Sequence, residues 1–253
     1  MRNLDCDILN NPLNKKHEKE SVQKQPLTFT QIVMLEIMQL LPIFSVYGML
    51  ELTDNANATM ATFFMTMITL PLIYCFLYKE NIKSILMGDG LNRIGHQLKQ
   101  GSLAGFGILA IALGSYYAFL GLDSSHHSWI MSRNIPVKKT FFDTALFFFV
   151  FSFINPLLEE LFWRGFLLKS YRDRKLSYVI VSIHFALYHW FSVNYITQNW
   201  LFSTAATFSI FVLGAKLMYL REKCGMVAAV LAHAGADLAV AIIVWHIYSG
   251  IQI

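Results

Sequence analysis

Charge is scarce in this chain. Of its 253 residues only 14% are Asp, Glu, Lys or Arg, while 55% are hydrophobic and the mean hydropathy is +0.47. Soluble domains carry about 25% charged residues, so the composition excludes an ordinary soluble fold and reads as an all-α polytopic membrane protein. Cysteine is scarcer still. Cys6, Cys75 and Cys224 are scattered between the tail, an apolar run and a short basic loop, which excludes a disulfide framework and a thiolate metal site. The formal charge of +4 is spread over several connections. No basic patch interleaved with aromatic residues stands out, and nucleic acid is not an expected partner. Residues 1–27 lack the apolar core and small-residue cleavage site of a signal peptide, and are expected to form a flexible cytosolic tail. The ending Ser-Gly-Ile-Gln-Ile holds no prenylation box, so the expected anchorage is by spans within the lipid bilayer. Internal repeats and low-complexity tracts are absent.

What is there is a series of apolar runs. A helix needs about 20 residues to cross the hydrocarbon core, and runs of that order lie near 29–50, 58–78, 101–122, 140–168, 177–194, 199–220 and 226–248. Seven spans are expected, or eight if the long fourth run is kinked or split at Asn155-Pro156 into a spanning and a re-entrant part. Residues 28–139 would then hold the N-terminal spans, and residues 140–253 a helical core. Lysine and arginine gather in the tail, in 79–100, in 169–175 and in 216–223, which predicts a cytosolic N-terminus. Arg133, Lys138 and Lys139 in the 123–139 connection dissent. Within 79–100, charges mix with apolar residues at helical spacing, as in a segment lying on the membrane surface.

Polar residues inside such runs are costly and mark function or pairing. The fourth run holds Glu159 and Glu160 side by side, with Arg164 one turn beyond. On a helix Glu160 and Arg164 share a face, while Glu159 is rotated about 100° away. A buried ion pair that merely fixes packing would explain Glu160 and Arg164; the second glutamate calls for more. The fifth run adds Phe185 and His189 one turn apart, with His184 on another side. The seventh adds His233 and Asp237 four apart, separated by small residues that admit a close neighbour. Taken singly, each histidine reads as a hydrogen-bonded core residue. From the expected topology, however, Glu160, His189, His233 and Asp237 all fall roughly 10–20 Å below the cytosolic surface at 1.5 Å per residue. A shared level predicts one polar cavity open to that side.

A carboxylate with two histidines suits two related mechanisms. In one, Glu160 and His189 hold and deprotonate a water, and the His233 region stabilises the oxyanion. In the other, Glu159, His189 and His233 bind a divalent metal such as zinc and leave a position for the water. Either hydrolyses an amide inside the membrane. No His-Glu-x-x-His, Gly-x-Gly-Asp or Gly-x-Ser-x-Gly occurs. Lys216 reads as an interfacial residue, His126, His127 and Asp143 as outer-side residues, and Glu36 as a residue able to face the cavity.

Glu159-Glu160-Leu-Phe-Trp-Arg164, Phe185-Ala-Leu-Tyr-His189 and His233-Ala-Gly-Ala-Asp237 match, in order, Glu-Glu-x-x-x-Arg, Phe-x-x-x-His and His-x-x-x-Asn/Asp. Over about 140–248 the chain resembles the CAAX-protease and bacteriocin-processing family, also called CPBP or Abi, related to the type II CAAX prenyl endopeptidases. The resemblance implies an intramembrane endopeptidase of a bacterial cytoplasmic membrane acting on a membrane-associated peptide or protein. Glu159 would be the water-activating base, Glu160, Arg164 and His189 would support it, and His233 and Asp237 would complete the site. Prenyl endopeptidases carry asparagine where this chain has Asp237, and an ionised aspartate cannot donate to an oxyanion. It must be protonated or act one shell back. Bacteriocin or pheromone precursors and lipid-modified C-terminal tails are the substrates the resemblance suggests. Two rival expectations are a non-proteolytic immunity protein or sensor-kinase scaffold and a transporter.

Overall fold

A computed structural model of the chain describes residues 27–53, 55–83, 93–122, 141–171 and 174–249. The expected tail, the 123–139 connection with His126 and His127, and the middle of the surface segment lie outside them. Seven helices account for almost all described residues, with no strand among them: α1 Phe29–Thr53, α2 Ala56–Tyr78, α3 Ile94–Leu122, α4 over 141–170, α5 Arg174–Thr197, α6 Trp200–Cys224 and α7 Met226–Ser249. The protein is thus all-α and polytopic. Six of the helices are long and apolar enough to cross a membrane. The exception is α5, at the run expected to span over 177–194. Its length is sufficient, but Arg174, Lys175, Ser177, Ser182, His184, His189 and Asn194 make it too polar to qualify. Ser177 and Ser182 are buried, Ser182 against Met218 of α6, and Asn194 accepts from Ser203 of α6 at 3.4 Å. Apolar side chains such as Phe44, Phe76, Phe106 and Phe208 point outwards, as a lipid-facing surface requires.

The fourth helix is not split at Asn155-Pro156. Proline has no N–H to give and its ring crowds the carbonyl four residues back, and the chain answers by widening rather than breaking. Residues Val150–Ile154 form a π turn in which the Asn155 N–H reaches back five residues to the Val150 carbonyl. Pro156 then opens an α-helical turn, Asn155–Glu159, and a second π segment runs over Glu160–Leu167. Backbone dihedrals remain helical at each junction. Short π insertions of this kind are concentrated at functional sites.

Helix α7 is held against α3 by small residues. Gly101 and Gly105 of α3 meet Ala228, Leu231 and Ala232, and Gly235 of α7 lies against the Gly105 backbone so closely that a Cβ there would overlap it. Such small-residue faces let membrane helices approach along their backbones. Between α6 and α7, Gly225 adopts φ +112° and makes a turn of a single residue, into which Gln97 of α3 packs and accepts the Val227 N–H at 3.1 Å. These contacts fix the rotation of α7, and with it the direction of His233. Gly235→Ala is accordingly expected to destabilise the detergent-solubilised protein by about 1–3 kcal/mol through overpacking against backbone. Gly107→Ala, where a Cβ meets nothing within 4 Å, is expected to leave the melting temperature unchanged; equal melting temperatures for both variants would contradict the α3–α7 account.

Candidate active site

The second π segment of α4 turns every residue from Phe162 to Leu167 into the bundle, together with Glu160. Trp163, Phe166, Phe185 and Tyr188 build an aromatic wall around it. Glu159, Glu160, Arg164 and His233 are each at most 2% exposed. Charges buried this deeply need partners, and the partners can be traced one by one.

Arg164 is paired through its two terminal nitrogens, while its Nε has no hydrogen-bond partner among the described residues. Its Nη1 donates to Glu160 Oε1 at 2.9 Å, its Nη2 donates to the Gly214 carbonyl of α6 at 3.3 Å, and its guanidinium lies 3.9 Å over the Phe185 ring. Position 214 has to be small for this, because a Cβ there would stand 3.0 Å from Phe185 and 3.3 Å from the guanidinium. The same Glu160 oxygen is 2.8 Å from His233 Nδ1. With Glu160 ionised beside Arg164, Nδ1 carries the hydrogen and donates it. The other imidazole nitrogen, Nε2, therefore faces the remaining acids: Glu159 Oε2 at 3.7 Å and Asp237 Oδ1 at 3.5 Å. Those distances are longer than direct hydrogen bonds. Asp237 Oδ2 accepts from Asn155 Nδ2 at 2.9 Å.

The two adjacent glutamates thus do not point apart as a regular helix would have them. They grip the His233 ring from its two nitrogens, at the junction where an α turn passes into a π turn. His189 lies beside this group. Its Nδ1 donates to the Phe185 carbonyl at 2.7 Å and its Nε2 is 3.0 Å from the Tyr188 hydroxyl. The expected set Glu159, Glu160, Arg164, His189, His233 and Asp237 is consequently brought into one region, with the Tyr188 hydroxyl beside His189. Among the described residues no group of three His, Cys, Asp or Glu side chains is disposed to hold a metal ion. His189 has both nitrogens engaged, while His233 gives Nδ1 to Glu160 and leaves Nε2 facing Glu159 and Asp237.

Two other residues stand elsewhere. His184 Nδ1 bonds the Ile180 carbonyl within its own helix. Glu36 does not enter the cluster: it accepts from the Tyr171 hydroxyl at 2.5 Å, and Tyr171 in turn accepts from Gln39 Nε2 at 2.6 Å, which pins α1 to the end of α4. Burial, with Glu36 as acceptor, holds the Tyr171 phenol well above the usual range.

Asn155 and Tyr188 were not singled out as site residues by sequence reasoning. Asn155 reads as part of a helix interruption, yet it stands four residues before Glu159, and that spacing alone puts them on one face. Tyr188 occupies an unspecified position in Phe-x-x-x-His, and nothing in the spacing marks it. Residues 141–239 match the family model described as type II CAAX prenyl endopeptidase Rce1-like. No curated protein and no solved structure matches the chain.

Proposed function

We propose that this chain, whose residues 141–239 belong to the type II CAAX prenyl endopeptidase Rce1-like family, hydrolyses a peptide bond in a membrane-associated peptide or protein with water activated at Glu159. The family makes it a CAAX-type intramembrane protease in general terms; the base, its partners and the substrate are the proposal. The observation that carries it is the unequal commitment of the two glutamates. Glu160 Oε1 is held by both Arg164 and His233, which makes Glu160 a poor proton acceptor. Glu159 faces His233 Nε2 across 3.7 Å with no guanidinium of its own, while Oε2 of each glutamate is without a hydrogen-bond partner among the described residues.

In this reading a water beside Glu159 gives up a proton to the carboxylate as its oxygen attacks the scissile carbonyl carbon. His233 is held by Glu160 with Nε2 facing the reacting atoms, where as an imidazolium it stabilises the oxyanion and then protonates the leaving amine. Asp237 acts one shell back, keeping His233 oriented while its own second oxygen is occupied by Asn155. Arg164 keeps Glu160 ionised. The lysine and arginine bias of the connections favours cleavage near the cytosolic leaflet, on peptide precursors or lipid-modified C-terminal tails small enough to enter between helices.

Peptide termini mapped by mass spectrometry in membranes and medium, from cells expressing wild type or Glu159→Gln at matched abundance, test this reading. New ends confined to wild type are the expected result and would identify the substrate. Identical termini, with a cellular phenotype that survives the substitution, would overturn proteolysis in favour of an immunity or scaffolding role.

A further inference from the structure

Arg221 is a charged side chain on the inner face of α6 to which the catalytic reading assigns nothing. It stands seven residues beyond Gly214, and on a helix that spacing keeps both on one face. Gly214, Leu217 and Met218 of that face are buried, Gly214 holding Arg164 through its carbonyl and Met218 packed on Ser182 of α5. The cations of the opposite face differ. Lys216 and Lys223 are exposed on the side of Val212 and Tyr219, where a lipid-facing helix lets lysine reach the interface. Arg221 is only partly exposed.

Its guanidinium is presented but not paired. Nε is buried and without a hydrogen-bond partner among the described residues, so packing fixes the stem. The two terminal nitrogens also lack an acceptor among the described residues, but unlike Nε they are not shut off from solvent. Glu222, the next residue, is exposed and rotated about 100° away. Glu160 is already held by Arg164 and His233. A guanidinium sets its terminal nitrogens side by side, at a spacing that matches the two oxygens of a carboxylate. We propose that Arg221 receives a carboxylate of the substrate peptide, its C-terminal group or an acidic side chain, and so selects substrates by charge. The inference rests on the reading of the chain as a peptidase.

A lipid phosphate is met on the outer face, by Lys216 and Lys223. Arg221 shares its face with residues that touch α4 and α5, about 10 Å along α6 from Gly214 at 1.5 Å per residue. It lies toward the end that the lysine and arginine bias assigns to the cytosol. An extended peptide covers about 3.3 Å per residue, so the group bound is a few residues from the scissile bond. The site itself is rich in acids, with Glu159, Glu160 and Asp237 around His233. A substrate carboxylate is repelled there, and a cation set to one side holds it away while the peptide bond reaches Glu159. Arg221 is a specificity residue in this account. It touches substrate without touching the reacting atoms, so its loss weakens binding and leaves the chemistry intact.

The test uses full-length protein in phosphatidylethanolamine–phosphatidylglycerol vesicles and a synthetic peptide spanning the cleavage site found by terminus mapping. The peptide is made in three forms: with a free C-terminus, as the C-terminal amide, and with its acidic side chains changed to amides. For wild type, KM is expected to rise about 10- to 100-fold for the form that lacks the recognised carboxylate, as for loss of a charge-assisted pair, with kcat unchanged. Which form suffers tells the C-terminal group from a side chain. Arg221→Gln is expected to show that higher KM for every form, with kcat and melting temperature unchanged, because no ion pair of the fold is broken. Arg221→Lys keeps the charge without the fork and is expected to fall between the two; it is the variant read if Arg221→Gln does not accumulate. Equal KM for all three forms with wild type, or a carboxylate preference that survives Arg221→Gln, would overturn the proposal and leave the peptidase reading standing. A rise in KM on Arg221→Gln that is the same for every form, and that vanishes in vesicles of phosphatidylcholine alone, would assign Arg221 to a lipid phosphate and also overturn it. No cleavage of any form by wild type would remove the peptidase reading and the inference together.

Discussion

Glu159→Gln is expected to lower kcat by about 10²- to 10⁴-fold, the usual worth of a positioned general base, while leaving abundance and melting temperature close to wild type. Glutamine keeps the length and most of the volume of glutamate, and no guanidinium depends on Glu159 for its charge. What disappears is the capacity to take a proton. Glu160→Gln should behave differently. It removes the acceptor shared by Arg164 at 2.9 Å and His233 Nδ1 at 2.8 Å, stranding a buried guanidinium and loosening the imidazole. Loss of activity should therefore arrive together with loss of stability. Turnover of the mapped peptide and thermal unfolding in detergent, measured on both variants, separate the two roles. If Glu160→Gln proved stable and inactive while Glu159→Gln remained active, the roles assigned here would be exchanged.

Much of this arrangement is legible in the sequence, for a definable reason. Acids and histidines in apolar runs are so costly that their presence needs an explanation, and helical spacing then pairs Glu160 with Arg164 and His233 with Asp237 before any coordinates exist. All-α architecture and the number of helices follow from run length. Three things do not follow. The first is the orientation of Glu159: angles of 100° per residue assume a regular α-helix, and the π segments Val150–Ile154 and Glu160–Leu167 leave no trace in the pattern of apolar residues. The second is the chain of contacts between helices. Gly214 supplies a carbonyl and empty space to Arg164, and a glycine in an apolar run could do either, both or neither. The third is α5, where polar residues, among them the buried Ser177 and Ser182, lower the hydropathy of the whole run, so that the helix forms where expected without qualifying as a span.

The reach of the Arg164 guanidinium makes it the residue whose loss should damage the fold most. It is fully buried, and it links α4 to itself through Glu160, to α6 through the Gly214 carbonyl and to α5 through the Phe185 ring. Arg164→Met preserves much of the aliphatic volume but leaves the Glu160 carboxylate without its cation in an environment that cannot solvate it. The expected cost is about 3–5 kcal/mol, typical of breaking a buried pair by removing one partner. The double variant Glu160→Gln/Arg164→Met leaves neither charge uncompensated, and a neutral pair in that setting often costs far less than either single change. It should recover a large part of the stability, with a coupling energy well above the scatter expected for independent sites. Activity should not recover with it, because His233 Nδ1 would then face a neutral amide in place of the carboxylate that fixes its hydrogen and favours its imidazolium form. Unfolding of the four proteins in the same detergent, read beside turnover of the mapped peptide, completes the cycle. Additive stability losses would mean that the pair is not what holds α4 in place. Recovered activity in the double variant would mean that the charge on Glu160 is not what readies His233.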